Sequence, residues 1–207
     1  MPDVPAAGIP LSDGLRMAVG TLTALPVPPP RRIDRRVASV AMLLAPVAGL
    51  VPGLAAAAVA LVAGAVGASP FLAAALALGT VALATRGLHL DGLADTADGL
   101  TAAYDRVRAL EVMRKGNTGP AGAGALVLVL LVQVTALAQA IEGLGPVAAA
   151  LGVVIGRSAL VLGCSHGIPA ARPGGFGAAV AGSVPKVWVA ADLLLVAVAA
   201  ASVVTPF

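Results

Sequence analysis

The sequence has few charged residues and very few aromatic ones, and both shortages limit what the protein can be. Of its 207 residues, 59% are hydrophobic and 11% are charged, whereas a soluble domain is about one quarter charged. Phe, Trp and Tyr together make up 2%, so bases would have little to stack on beside the arginines. We therefore expect a lipid bilayer around most of the surface, and we exclude nucleic acid as a partner.

Cysteine is almost missing as well. The single cysteine, Cys164, excludes an intramolecular disulfide and has no partner for a cysteine-based metal site. We expect it to be a small buried apolar residue.

Long apolar runs predict transmembrane helices, each of which needs about 20 residues. Residues 37–85 carry no charge and have room for two helices, with a turn at 64–70. Further apolar runs predict helices at 116–141, 147–164 and 187–206. The sequence therefore predicts an all-α polytopic membrane protein with about five transmembrane helices, in a single transmembrane domain over residues 1–207.

Basic residues are concentrated in three segments, and the predicted helices place these on one side of the membrane: 31–36, 86–115 and 166–186. The positive-inside rule makes that side cytoplasmic. We therefore expect a cytoplasmic or interfacial segment at 1–36 and a cytoplasmic catalytic segment at 86–119. The chain would be a multi-pass protein of the cell membrane.

The catalytic segment contains three aspartates at a spacing that places them on one face of a helix. At about 100° per residue, Asp91, Asp95 and Asp98 fall within a narrow stripe. Three like charges near hydrocarbon repel one another and are costly, so a cation is expected to neutralise them. Oxygen ligands without a cysteine or a histidine pair suit Mg²⁺ or Mn²⁺, and Mg²⁺ is commonly shared with substrate phosphates.

The residues around the aspartates allow two interpretations. One is a solvated acidic loop whose aspartates merely cap helices, but the flanking leucines make the segment too apolar for a simple polar linker. The other is a metal site, for which Gly92 and Gly99 leave room for a phosphate or a second helix to come close.

A basic cluster follows at the start of the next predicted helix, in residues 113–120. Arg114 and Lys115 could neutralise phosphate, and backbone N–H groups at the helix start could add donors. Taken alone, the cluster fits a positive-inside anchor equally well. Together with the carboxylates on the same membrane face, it predicts phosphoryl transfer, in which catalysis is mostly positioning and charge neutralisation.

These two segments resemble the cobalamin synthase family, the bacterial adenosylcobinamide-GDP ribazoletransferases, and in particular the actinobacterial type. Residues 89–99 carry the core pattern His-x-Asp-Gly-x-x-Asp-Thr-x-Asp-Gly, and residues 23–28 fit the early Leu-Pro-Val-Pro element. The resemblance implies that α-ribazole, or its 5′-phosphate, joins adenosylcobinamide-GDP in a late step of cobalamin biosynthesis. The products would be adenosylcobalamin, or its 5′-phosphate, and GMP. The resemblance also implies Mg²⁺ as the cofactor and the cytoplasmic membrane as the location.

On this basis we predict a role for each polar residue of the two segments. Asp91, Asp95 and Asp98 would hold the metal, and Asp98 or Asp95 would accept the hydroxyl proton, with Asp105 as an alternative. Substrate would be bound by five further residues: Arg86, His89, Arg114, Lys115 and Asn117. Two arginines outside the segments are weaker phosphate candidates, Arg157 and Arg172.

The sequence departs from the family in two places. Lys115 stands where family members commonly carry an acid in a Met-Arg-Asp pattern, and the C-terminal Gly-Gly-x-Thr-Gly-Asp element is not found. We therefore expect either a fragment or a natural truncation.

Other functions remain open. CDP-alcohol phosphatidyltransferases also carry aspartates along a helix at a membrane edge, but their pattern requires an Arg after Ala94, where Asp95 stands. An ion transporter could use the aspartates for permeation, and a truncated copy could be a non-catalytic membrane partner. Other cobalamin-assembly enzymes and a second copy of the chain are further candidate partners.

Overall fold

The structure is a computed structural model that describes residues 10–102 and 105–204, and these are helical almost throughout. Within these ranges, the only extended pairing is an isolated bridge between Ser165 and Val184. The predicted all-α class is confirmed. The helices in chain order are α1 (Pro10–Leu22), α2 (Arg35–Leu43), α3 (Ala45–Ala65), α4 (Pro70–Ala84), α5 (Leu88–Ala102), α6 (Arg106–Lys115), α7 (Pro120–Leu144), α8 (Val147–Gly163), α9 (Gly175–Val180) and α10 (Lys186–Val204).

Three described helical segments are long and apolar enough to cross a membrane: Arg35–Ala65, Pro120–Leu144 and Lys186–Val203. The number becomes four if α4 and α5, which are bent by 91° against each other, form one broken span. The apolar α8 has 17 residues, and at about 1.5 Å per residue it falls short of a hydrocarbon core of about 30 Å. The polytopic membrane class is thus confirmed with three or four spans by length and composition, where the sequence predicted about five.

The chain divides into two compact units, one formed by Met1–Leu54 with Ala150–Phe207 and the other by Ala55–Ala149. Every residue from Arg86 to Asn117 that the sequence assigned to the site belongs to the second unit. The single transmembrane domain over residues 1–207 stays a prediction.

In the first unit, α2 begins at a charged cap. The carboxylate of Asp34 accepts hydrogen bonds from the N–H groups of Arg36 and Val37, each at 2.9 Å. The bond from Val37 above all, together with the nearby charge of Arg32, lowers the pKa of Asp34. The stability that this cap contributes is therefore present above the unfolded-state pKa, and it is lost only as the pH falls through the lowered folded-state pKa.

The second unit is built from small residues. Alanines of α3 and α4 form its core, and Leu137 and Ile141 of α7 pack against them. Because alanine side chains are short, the helix axes can approach closely. α7 packs against both α4 and α5, and α5 also packs against α6. This arrangement holds the aspartate-bearing α5 against both of the helices that follow it in the chain.

Candidate active site

α5 follows α4 at a sharp bend that is made by two residues with positive φ. Arg86 has φ 54° and Gly87 has φ 69°. Glycine adopts this left-handed region freely, whereas another residue pays about 1–2 kcal/mol. Among the described residues Arg86 is the only non-glycine residue with positive φ, and its side chain is exposed. An arginine is therefore unfavourable for the backbone conformation of this turn. We infer that the arginine side chain has a function that glycine could not supply.

The three aspartates of α5 differ in burial, because only the turn that carries Asp98 packs against the start of α7. Asp91 is exposed, Asp95 is half-buried, and Asp98 is 7% exposed. Side chains four residues apart on a helix are neighbours, with Cβ atoms about 5–6 Å apart. Among the described residues, neither Asp91 nor Asp95 has a hydrogen-bond or ion-pair partner. Asp91 and Asp95 thus form an accessible carboxylate pair.

Asp98 is turned towards the start of α7. Its Oδ2 accepts a hydrogen bond from the N–H of Gly119 at 2.6 Å, and its Oδ1 accepts one from the N–H of Gly122 at 2.8 Å. Gly119 is the N-cap residue of α7 and offers no side-chain cap of its own. Asp98 therefore caps α7 from another helix. Two of the helix-start N–H groups that the sequence suggested for phosphate are bonded to this carboxylate.

The contact between Asp98 and α7 requires glycine at two positions. A Cβ at Gly119 would lie 2.7 Å from Oδ1 of Asp98. A Cβ at Gly122 would lie 3.0 Å from the Asp98 Cγ and 2.8 Å from the carbonyl oxygen of Ala94. Both distances to oxygen are shorter than real Cβ contacts. A larger residue at Gly119 would therefore displace the Asp98 carboxylate, and one at Gly122 would also push against the backbone of α5.

α6 folds back on α5 at a third glycine. A Cβ at Gly99 would lie 2.5 Å from Cγ of Met113 and 3.0 Å from the carbonyl oxygen of Ala109. The predicted approach of a second helix is thus confirmed at Gly99, while the space beside Gly92 is open. Asp105 is the N-cap residue of α6, and its carboxylate accepts the Val107 N–H at 3.0 Å. The alternative proton acceptor is therefore a helix cap.

Residues 114–118, which we call the basic turn, connect α6 to α7. Arg114 and Lys115 occupy the last turn of α6, where a helix dipole favours positive charge. The C-cap residue that follows α6 is Gly116, which has φ 66°. Arg114, Lys115 and Asn117 are all exposed. The residue before the basic turn, Met113, packs on Gly99, and the residue after it is bonded to Asp98, so both ends of the turn are anchored to consecutive residues of α5.

The structure brings the predicted site residues together in part. Arg86 and the half-buried His89 lie at the start of α5, next to the accessible carboxylate pair in sequence, and the basic turn is anchored farther along the same helix. In the described part of the chain, no group of three or more His, Cys, Asp or Glu side chains is placed to hold a metal ion. The side chains of the three aspartates are therefore not placed to coordinate one metal ion together. The two weaker candidates belong to the first unit, with Arg157 buried and Arg172 exposed.

Sequence reasoning missed Gly119 and Gly122 as the partners of Asp98. The sequence did contain a sign of this contact. The N-cap residue of the long helix α7 is Gly119, which has no side chain to bond the first N–H groups, whereas Ser, Thr, Asp and Asn are the preferred residues there. The first N–H groups of a helix have no partner within it, so an acceptor from elsewhere in the chain was required.

Comparison with known proteins agrees with the resemblance drawn from the sequence. The family model described as cobalamin-5-phosphate synthase matches residues 14–207. An adenosylcobinamide-GDP ribazoletransferase from Nocardioides sp. is 50% identical over 189 residues, which are 91% of this chain and 82% of that protein. Proteins of the same name from Frankia casuarinae and Corynebacterium efficiens are 43% and 35% identical, over 82% and 93% of this chain and 64% and 70% of their own lengths.

No solved structure gives a significant match to the chain. The family match covers nearly all of the sequence, and the most similar of these three relatives shares half of the aligned residues. The predicted family is confirmed: the chain belongs to the cobalamin-5-phosphate synthase family.

Proposed function

We propose that the protein joins adenosylcobinamide-GDP to α-ribazole, or to α-ribazole 5′-phosphate, and that the second unit carries the reacting groups. The name of its relatives, adenosylcobinamide-GDP ribazoletransferase, supports the proposal. The observation that carries the proposal is the anchoring of the basic turn to α5. It sets cationic side chains and free carboxylates on neighbouring elements of one unit. Phosphoryl transfer depends on this combination, because both the phosphate groups and the metal need partners of opposite charge.

The reaction balances without a redox step. The 5′ oxygen of ribazole bonds to the phosphorus on the cobinamide side of the diphosphate. The bond from that phosphorus to the bridging oxygen breaks, and this oxygen leaves with GMP. The hydroxyl proton passes to a carboxylate, for which we propose Asp95 because it is accessible and half-buried.

Mg²⁺ fits the accessible carboxylate pair rather than all three aspartates. Mg²⁺ is usually held by one or two carboxylates together with substrate phosphates and water. Asp91 and Asp95 offer such a pair, whereas the oxygens of Asp98 are bonded to α7. When bound, the ion would neutralise charge on the diphosphate and stabilise the departing GMP.

The remaining predicted residues bind and orient the substrate. Arg86, Arg114 and Lys115 would hold phosphate oxygens, since all three are exposed cations. His89 and Asn117 would form hydrogen bonds with the substrate. We place this surface on the cytoplasmic side of the cell membrane, because the basic segments lie there under the positive-inside rule.

Replacing Arg86 by glycine separates the function of its side chain from its part in the fold. We expect the thermal unfolding temperature to change little. Glycine relieves a left-handed backbone that costs about 1–2 kcal/mol, and this gain offsets the greater freedom of glycine in the unfolded chain and any interaction lost with the Arg86 side chain. We expect KM for adenosylcobinamide-GDP to rise about tenfold, which is a typical loss for one charged hydrogen bond. Initial rates in detergent and a thermal unfolding scan measure the two effects. An unchanged KM would remove Arg86 from the binding site.

The reaction itself is tested with membranes that contain the chain, supplied with adenosylcobinamide-GDP and α-ribazole. We expect equal amounts of GMP and adenosylcobalamin, detected by chromatography. A parallel reaction with a CDP-activated lipid and an alcohol tests the phosphatidyltransferase alternative. Release of CMP in the second reaction and no GMP in the first would reject the proposal in favour of that alternative.

A further inference from the structure

The start of α7 takes its hydrogen-bond acceptors from a different helix. In the usual capping box, the N-cap side chain bonds the third N–H group of the helix, and the side chain of the third residue bonds back to the N-cap N–H. Glycine stands at both of these positions in α7, at Gly119 and Gly122. The single carboxylate of Asp98 serves the same two donors, one with each oxygen.

This bonding occupies Asp98. Its carboxylate lies against the backbone of α7 and the residue is 7% exposed. The positive end of the α7 dipole stabilises its negative charge, as an added cation would. Each oxygen keeps one lone pair after accepting its N–H donor, but the residue is buried, so a metal ion would have to reach it through the packed contact between α5 and α7. Asp91 and Asp95 accept no such bonds within the described residues.

The same bonding fixes the basic turn. Met113 packs on Gly99 and Gly119 is bonded to Asp98, so the five residues between them start and end at one point on α5. If the bond to Asp98 were lost, the turn would be attached to α5 at one end only, and its cations would be held less closely. The position of Arg114, Lys115 and Asn117 relative to α5 therefore depends on the Asp98 carboxylate.

We propose that Asp98 is a positioning residue, which fixes the basic turn on α5 and neither holds the metal nor accepts the substrate proton. The substrate that the turn binds rests on the proposed function, whereas the anchoring of the turn does not. The anchoring is tested by hydrogen exchange at the Gly119 amide, and the role in the reaction is tested by enzyme kinetics.

The anchoring is tested by hydrogen exchange at the Gly119 amide. Gly119 is the only glycine in the sequence that follows a threonine, so carbonyl-labelled threonine with amide-labelled glycine gives one NMR signal for it in detergent micelles. As the N-cap residue, it has no partner within α7. In the wild type we expect its exchange to be at least about tenfold slower than in an unstructured peptide, because of the bond to Asp98. An unprotected amide would overturn the proposal without any variant.

Two matched substitutions extend this test. Asp98→Asn keeps the shape but leaves one neutral acceptor oxygen for the two N–H donors. The bond to Gly119 is then either lost or reduced from a charged to a neutral hydrogen bond, so the Gly119 amide should exchange about tenfold faster. Asp91→Asn makes the same chemical change on an exposed residue of the same helix, and exchange at Gly119 should stay within about twofold. Equal exchange in the two variants would contradict the anchoring.

Kinetics then distinguish the three roles open to Asp98. For a positioning residue, Asp98→Asn raises KM for adenosylcobinamide-GDP about tenfold, and the Mg²⁺ concentration at half-maximal rate stays within about twofold. A metal ligand would instead raise that Mg²⁺ concentration, and a proton acceptor would lower kcat with KM unchanged; either result overturns the proposal. If the wild type shows no turnover at all, the proposed function fails, and the exchange result still decides the anchoring.

Discussion

Asp95→Asn is expected to lower the rate of ribazole transfer by at least about a hundredfold. The substitution removes the negative charge that would face the metal and the carboxylate that would accept the proton, and general acid–base catalysis alone contributes about 10²–10⁴-fold. The fold should not change, because Asp95 is half-buried and has no hydrogen-bond or ion-pair partner among the described residues. Initial rates of GMP release, with the amount of folded protein checked by size-exclusion chromatography in detergent, measure the effect.

Asp192→Asn is the matched control for this experiment. Asp192 lies on α10 in the first unit, and neither the sequence nor the geometry assigns it to the reaction. Asp192 is half-buried, as Asp95 is, and its Oδ2 has no hydrogen-bond partner among the described residues. The same loss of one charge there should leave the rate within about twofold of the wild type, since no bond that holds the site is removed. If Asp95→Asn retained more than a third of the wild-type rate, Asp95 would not be a catalytic residue.

Gly122→Ala is expected to reduce activity strongly through the packing of α5 against α7. The added methyl group would lie 2.8 Å from the Ala94 carbonyl oxygen and 3.0 Å from the Asp98 Cγ. The first is a backbone atom, and the second belongs to a carboxylate that two hydrogen bonds hold in place. Overpacking of this kind costs about 1–3 kcal/mol. Displacing Asp98 adds the loss of hydrogen bonds to a charged group, about 1.5–3 kcal/mol each. We expect a lower thermal unfolding temperature and at least about a tenfold loss of GMP release.

Gly124→Ala tests whether the effect belongs to the contact or to the helix. Gly124 is on the same helix two residues later, and a Cβ there would meet nothing within 4 Å. Because alanine favours helix over glycine by about 1 kcal/mol, this variant should be at least as stable as the wild type and as active. A similar loss of stability and activity in both variants would mean that any substitution near the start of α7 is harmful. The contact with Asp98 would then not be the cause of the effect of Gly122→Ala.

The sequence predicted the all-α membrane class and the family, because both depend on local features. The charge-free run at 37–85 predicted a helical hairpin with a turn at 64–70, and the structure has α3 and α4 on either side of residues 66–69. The number of spans was less accurate, since hydropathy does not show where a helix ends. α4 has 15 residues and bends by 91° into α5, a break made by the backbone at Arg86 and Gly87.

The aspartate stripe was visible in the sequence, but the different environments of its members were not. Helical spacing places Asp91, Asp95 and Asp98 on one face, and it predicted one metal site for all three. Burial depends on what packs against each turn of the helix, which is a property of α6 and α7. One early alternative, aspartates that cap helices, describes Asp98 and Asp105 in the structure. Their roles as ligand or proton acceptor stay predictions that only kinetics can test.

The central claim is that Asp91 and Asp95 hold Mg²⁺ for phosphoryl transfer from adenosylcobinamide-GDP. It is tested most directly by the rate of GMP release as a function of Mg²⁺ concentration, in the wild type and in Asp91→Asn. We predict no release in EDTA, a saturable rise with Mg²⁺ in the wild type, and a half-maximal concentration at least about tenfold higher in the variant, as loss of one charged ligand implies. Release that continues in EDTA, or the same half-maximal concentration in both proteins, would contradict the claim.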